Sequence, residues 1–101
     1  MRFEDIEQKV ISWGRDRGIL PRGSEPGDQV RKLAEEFDEL DKAIREGNQR
    51  DAIDAIGDMI VVLTMIAELI DTDLFTCYAA AYLQIKDRKG KMVNGVFVKE
   101  Q

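Results

Sequence analysis

The chain has 101 residues and lacks histidine entirely, and its single cysteine is Cys77. Without histidine, neither a Ser-His-Asp nor a Cys-His catalytic arrangement can be built from this chain. One cysteine cannot form an internal disulfide, and with no histidine beside it the chain offers poor ligands for structural zinc. Any chemistry must therefore come from carboxylates, lysines, arginines, hydroxyls and a bound metal ion.

Charge and hydrophobicity further narrow the class of protein to which this chain can belong. Fifteen basic and twenty acidic residues give a net charge of −5, which argues against a general nucleic-acid binder. The apolar run from Met59 to Ile70 is too short to span a bilayer and contains Glu68. The amphipathic start is not that of a signal peptide. We expect one cytoplasmic domain over residues 1–101, with no membrane partner.

Hydrophobic spacing predicts an all-α fold. Apolar residues recur at helical intervals, and glycine, proline and aspartate mark the breaks, which places four helices at about 3–17, 27–46, 51–70 and 74–87. Asp51 or a neighbour is expected to begin the third helix, and Asp73 to cap the fourth. Asn94-Gly95, between β-prone residues, predicts a hairpin over about 91–98. The expected architecture is a four-helix bundle with a short C-terminal β-hairpin.

Acidic residues cluster on the second and third helices. Four apolar residues of the second helix define its expected core direction, namely Leu33, Phe37, Leu40 and Ile44. At 100° per residue, Glu36 and Glu39 lie along one edge of that stripe and Glu35 lies further toward solvent. On the third helix, Asp54 and Asp58 share a face, and the residues after Asp58 are apolar nearly all round. That helix is therefore expected to be central and buried.

An antiparallel pairing of these two helices would bring Glu36 and Glu39 opposite Asp58. Carboxylates that face a helical interior need a neutralising partner, and oxygen-only ligands suit Mg²⁺ or Mn²⁺. Acid pairs on helices are more often solvated surfaces, so Glu35-Glu36-x-x-Glu39 alone has little specificity. Asp51 is better placed to stabilise a helix N-terminus than to bind metal.

The same residues resemble a known family. Glu35-Glu36-x-x-Glu39, followed by Gly57-Asp58 and an apolar helix, is similar to the signature of the MazG-type, all-α nucleotide pyrophosphohydrolases. Gln29-x-x-Lys32-Leu33 and Trp13 add to the resemblance, which extends from about residue 8 to about residue 90. The family pattern continues Glu-x-x-Asp, and here Ala55 stands where that Glu is expected, with Asp54 as its acidic neighbour.

The resemblance implies hydrolysis of a (deoxy)nucleoside triphosphate to the monophosphate and pyrophosphate, with Mg²⁺ as cofactor and Mn²⁺ as an alternative. It implies Glu36, Glu39 and Asp58 as metal ligands. Because Ala55 replaces the expected Glu, either Asp54 substitutes as a further ligand or the site binds metal with one acid fewer. Glu35 or Glu39 would orient the attacking water. The family also implies a homodimer or a dimer of dimers.

Basic and aromatic residues supply candidates for substrate binding. Lys86 and Arg88 lie in the densest basic cluster and suit a triphosphate, although cations are also favoured at a helix C-terminus. Lys32 could reach phosphate or pair with Glu36. Trp13 could stack on a base, although its apolar stripe favours core packing.

Two other interpretations stay open. In the first, Ala55 marks lost activity and the chain is a non-catalytic helical oligomer that binds nucleotide or a protein partner. In the second, the basic tail serves a nucleic-acid accessory protein, which fits the net charge poorly. No motif selects the base, the sugar or the number of phosphates.

Overall fold

The computed structural model describes residues 1–101 as four α-helices followed by a two-stranded antiparallel hairpin, which confirms the all-α prediction. Each observed boundary lies within two residues of its predicted position. The elements are α1 Phe3–Asp16, α2 Pro26–Arg45, α3 Gln49–Leu69, α4 Leu74–Ile85, β1 Gly90–Val93 and β2 Val96–Lys99.

Local side-chain chemistry sets the ends of these elements. Asn48 caps α3, since its side-chain oxygen accepts a hydrogen bond of 3.0 Å from the Asp51 N–H. The helix therefore begins two residues before the predicted start at about Asp51, and Asp51 lies in its first turn. Asp73 caps α4 as predicted, with 2.8 Å to the Thr76 N–H. The Asn94-Gly95 turn has positive φ at both residues, as a tight hairpin of right-handed twist requires.

Helix α3 is central, as predicted, because α1, α2 and α4 all pack against it. Ile11, Leu20 and Met65 form the buried apolar cluster between α1, the following loop and α3. Glu7 of α1 is buried, and its Oε2 accepts a 3.2 Å hydrogen bond from the Phe75 N–H at the start of α4. This bond ties the two ends of the helical region together.

The side of α2 that faces α3 differs from the prediction. Glu36 and Ala43 are buried, while Phe37 and Ile44 are 58% and 65% exposed. Ala43 lies opposite a third helix that buries Ala52 and Ala55, and small side chains let helix backbones approach closely. Phe37 and Ile44 are left on the outside of the helix pair, while Leu33 and Leu40 are half-buried.

An extended apolar surface results on the side of the α2–α3 pair away from the acidic residues. We call it the apolar face, and its exposed members are Val30, Phe37, Ile44, Ile53, Ile56, Ile60 and Leu63. The sequence predicted that α3 is buried. Within one chain this burial is only partial, because the apolar face stays exposed. Helix α4 has neither a buried residue nor a charged one. None of the four helices combines the length and hydrophobicity that a bilayer crossing requires.

Candidate metal centre

Three carboxylates meet between α2 and α3. Glu36, Glu39 and Asp58 each offer one oxygen, and these oxygens lie within 4.8 Å of one another. Glu36 and Glu39 are one helical turn apart on α2, while Asp58 projects from the antiparallel α3. We call these three residues the acid cluster. It unites the two parts of the acidic pattern that are separated in sequence.

Glu36 is the buried member of the acid cluster. The residue is 5% exposed, and its Oε2 is buried without any hydrogen-bond partner. Its Oε1 lies 3.4 Å from the Lys32 ammonium. A buried carboxylate oxygen without a partner is destabilising, so a cation or a hydrogen-bond donor beside Glu36 Oε2 would stabilise the structure.

Asp58 is the member of the acid cluster whose pKa is raised. Partial burial raises the pKa of Asp58, and the negative charges of Glu36 and Asp54 raise it further. The positive charge of Lys32 acts in the opposite direction but does not cancel the increase. A bound divalent cation would replace this repulsion by attraction.

Lys32 is held by the acids beside it. Its ammonium lies 3.3 Å from Glu35 Oε2 and 3.4 Å from Glu36 Oε1. Hydrogen bonding to Glu35, and then to Glu36, raises the pKa of Lys32. Glu35 therefore sits beside the acid cluster as the partner of Lys32, exposed to solvent, and does not join the three converging oxygens.

An acidic cavity of about 350 Å³ opens next to the cluster. Its lining residues are Glu39, Lys42, Ala43, Glu46, Asp51, Asp54, Ala55 and Asp58. Asp54 is exposed and borders this cavity, one turn before Asp58. Ala55, at 2% exposure, leaves the buried wall of the cavity without a carboxylate.

A second, more apolar cavity of about 470 Å³ lies on the other side of Asp58. It is lined by Trp13, Ile19, Gln29, Lys32, Glu36, Asp58, Val61, Val62 and Met65. Trp13 is 41% exposed, so the expectation of core packing was wrong for this residue. The Arg17 guanidinium lies 5.7 Å from the centroid of the indole ring, a cation–π contact that orients it.

The predicted phosphate contacts Lys86 and Arg88 lie elsewhere. They follow α4, and neither borders the acidic cavity or the Trp13 cavity of the same chain. Lys86 is 3.9 Å from Asp87 in an exposed pair. Within one chain, the cations beside the acid cluster are Lys32 and Lys42.

Sequence reasoning missed Lys42 and Val61, each of which lines one of the two cavities. Lys42 lies one turn after Glu39 on the same side of α2, which is the signal that identifies it. Val61 and Met65 follow Asp58 at helical spacing, and they lie beside Trp13 only because α1 packs on α3.

The donors present fit a hard divalent cation. All three are carboxylates, Glu36 among them has one buried oxygen without a partner, and an open cavity adjoins them. Mg²⁺ and Mn²⁺ prefer oxygen ligands, and Mg²⁺ commonly keeps several waters in its coordination shell. Comparisons of the chain with protein-family models, curated proteins and solved structures give no match.

Proposed function

We propose that this protein is a metal-dependent nucleoside triphosphate pyrophosphohydrolase of the MazG type, acting on free nucleotides in the cytoplasm. The observation that carries the proposal is the position of Asp58, which borders both the acidic cavity and the apolar Trp13 cavity. A nucleotide has the same two-part character, because an apolar base is joined to a polyanion. Binding it across Asp58 would put the phosphates beside the acid cluster.

The acid cluster would hold Mg²⁺ through Glu36, Glu39 and Asp58, and Asp54 is close enough along the helix to assist. When bound, the ion would offset the charge that develops on the phosphate oxygens during hydrolysis. Glu39 is the better candidate for orienting the attacking water, because it is exposed at the acidic cavity while Glu35 is engaged by Lys32. Lys32 faces both the cluster and the Trp13 cavity, so it can contact the phosphate nearest the base.

The base would enter the Trp13 cavity. The indole offers a stacking surface that tolerates different bases, while Val61, Val62 and Met65 exclude water from the opposite wall. Gln29 is the one uncharged polar side chain of this lining and could read a base edge.

We also propose that the protein works as a homodimer or a dimer of dimers. One chain exposes 7977 Å², whereas a compact monomer of 11.5 kDa exposes roughly 5,800 Å². The radius of gyration is 15.8 Å, compared with about 13 Å for a compact domain of this length. The apolar face and α4 are the surfaces that a second copy would cover.

Pyrophosphate release from a panel of canonical and modified nucleoside triphosphates tests the activity. Each substrate is assayed with Mg²⁺, with Mn²⁺ and with EDTA, for the wild type and for Glu39→Gln and Asp58→Asn. Asp38→Asn is the matched control, since Asp38 is an exposed acid on α2 that borders neither cavity. Metal-dependent release that only the two cluster variants lose is the expected result.

Absence of turnover across the panel, in a folded protein, would reject the enzyme. The alternative would then be a nucleotide-binding or partner-binding oligomer with a degenerate site. Ala55, on the buried wall where the family pattern has Glu, is the residue that favours this alternative.

A further inference from the structure

The C-terminal arm, residues 86–99, lacks a partner within its own chain. Every residue of β1 and β2 is exposed, and no hydrogen bond or ion pair joins either strand to a helix. A two-stranded hairpin alone is marginally stable in water. The hairpin of the arm therefore needs to pack on another surface to be stable.

Both faces of the hairpin are mainly apolar, since each carries a single lysine. Met92 pairs with Phe97 on one face, and Val93 pairs with Val96 on the other. Their exposed fractions range from 39% for Val93 to 65% for Met92. A strand pair that stood free in solvent would be expected to carry polar residues on at least one face.

Positive charge is concentrated in the arm, and negative charge in the rest of the chain. It contains five basic residues and one acidic residue, a net charge of +4, while the remaining ten basic and nineteen acidic residues leave −9 elsewhere. Lys89, Lys91 and Lys99, together with Glu100, border one cavity of about 340 Å³ at the helix-proximal end of the hairpin. The complementary surface in this molecule is the acidic cavity between α2 and α3.

Area favours a second copy as the partner. The exposed surface exceeds that of a compact monomer by roughly 2,200 Å², and a standard interface buries only about 800 Å² per partner. There is thus surface for a large contact between two chains. Charge complementarity of this kind orients partners as they associate.

We propose that the C-terminal arm of one copy packs on a second copy and places the end of the hairpin that carries Lys89, Lys91 and Lys99 beside that copy's acidic cavity. Docking itself is independent of catalysis. The consequence for catalysis rests on the proposed function: the lysines would add the positive charge toward substrate phosphates that Lys32 and Lys42 alone supply within one chain.

Disulfide trapping tests docking without any assay of activity. In a Cys77→Ser background, protein with Lys91→Cys is mixed with protein with Glu46→Cys, since Glu46 borders the acidic cavity. The control replaces Glu46→Cys by Asp38→Cys, on the outward side of the same helix. We expect a mixed disulfide dimer with position 46 and at least tenfold less with position 38. Equal yields, or none, would overturn the proposal.

Truncation after Lys89 provides the second readout. Loss or weakening of self-association in sedimentation, with helical circular dichroism retained, is expected. Unchanged association would contradict docking. The proposal would also fail if truncation abolished only salt-dependent binding of single-stranded DNA, since the arm would then serve nucleic acid.

Subunit complementation tests the catalytic consequence. Asp58→Asn and the double variant Lys89→Ala/Lys91→Ala are co-expressed with different tags, and the mixed oligomer is purified through both. If the lysines of one chain act at the acidic cavity of the other, the mixed dimer keeps one intact site of two. We then expect up to about half of the wild-type rate. Action within one chain restores nothing and would overturn the catalytic part. If the wild type itself has no turnover, the proposed function fails, and disulfide trapping alone decides docking.

Discussion

Glu36 and Asp58 present carboxylate oxygens within 4.8 Å of each other across the α2–α3 pair, and Oε2 of Glu36 is buried without a partner. The negative charge of Glu36 opposes the ionisation of Asp58. Lys32 offsets part of that charge from one side. Stability of the helix pair and affinity for a cation are therefore linked through these two residues.

A first prediction concerns the metal-free protein. Because the pKa of Asp58 is raised in the folded state, its ionised form costs stability, and this cost grows as pH rises above the ordinary pKa of an aspartate, near 3.8. Asp58→Asn should therefore raise Tm at pH 7 in EDTA. Differential scanning calorimetry measures this. A lower Tm than that of the wild type would mean that Asp58 is satisfied without metal.

A second prediction concerns metal binding to the same protein. Mg²⁺ or Mn²⁺ at ten times its Kd should stabilise the wild type by about 1.4 kcal/mol, a rise in Tm of several degrees. Asp58→Asn should lose this response, while Asp38→Asn should keep it. An equal response in all three proteins would place the cation outside the acid cluster.

A third prediction concerns Glu68, which lies outside the acid cluster. Burial raises the pKa of Glu68. The negative charges of Asp73 and Glu7 raise it further, whereas the positive charge of Arg15 lowers it. Its charge thus weakens the fold above the ordinary pKa near 4.5, and protonation relieves the cost as pH falls. Glu68→Gln should raise Tm at pH 7, with a difference that shrinks toward pH 4. A difference that is constant with pH would exclude this cause.

A fourth prediction concerns the base cavity. Trp13→Ala removes the stacking surface beside Asp58, and loss of one base–aromatic contact should raise KM about tenfold with a smaller effect on kcat. Trp13→Phe should retain most of the affinity. Steady-state kinetics on the preferred nucleotide provide the test, and unchanged KM in Trp13→Ala would place the base elsewhere.

A fifth prediction concerns the apolar face. Phe37→Glu puts a charge on a surface that a second copy is proposed to cover, at a position 58% exposed in the single chain. Sedimentation should show a shift toward the 11.5 kDa monomer, with helical content retained. Asp38→Asn, one residue away, should keep the wild-type mass. An unchanged mass in Phe37→Glu would remove α2 from the interface.

Local rules were sufficient to predict the elements of the fold. Helical spacing, the Asp73 cap and the Asn-Gly turn depend on a few neighbouring residues, so they could be identified from sequence. The pairing of Glu36 with Asp58 was also predictable, because helical geometry and an antiparallel connection determine it. The start of α3 was predicted two residues late, because Asn48 and Asp51 are both competent caps.

The side that α2 turns inward depends on its partner helix. Phe37 and Ile44 belong to a regular apolar stripe, yet close contact with α3 goes through Ala43. An apolar stripe shows that a surface is to be covered, and it does not say whether by the same chain or by another. The same limit applies to Trp13, whose cavity arises only when α1 docks on α3.

The most direct test of the account is ³¹P NMR of a preferred deoxynucleoside triphosphate incubated with the wild type, Asp58→Asn or Asp38→Asn, in Mg²⁺ and in EDTA. The account predicts nucleoside monophosphate and pyrophosphate from the wild type and Asp38→Asn in Mg²⁺ alone, and none from Asp58→Asn. Diphosphate and orthophosphate as products, or equal turnover by Asp58→Asn, would contradict it.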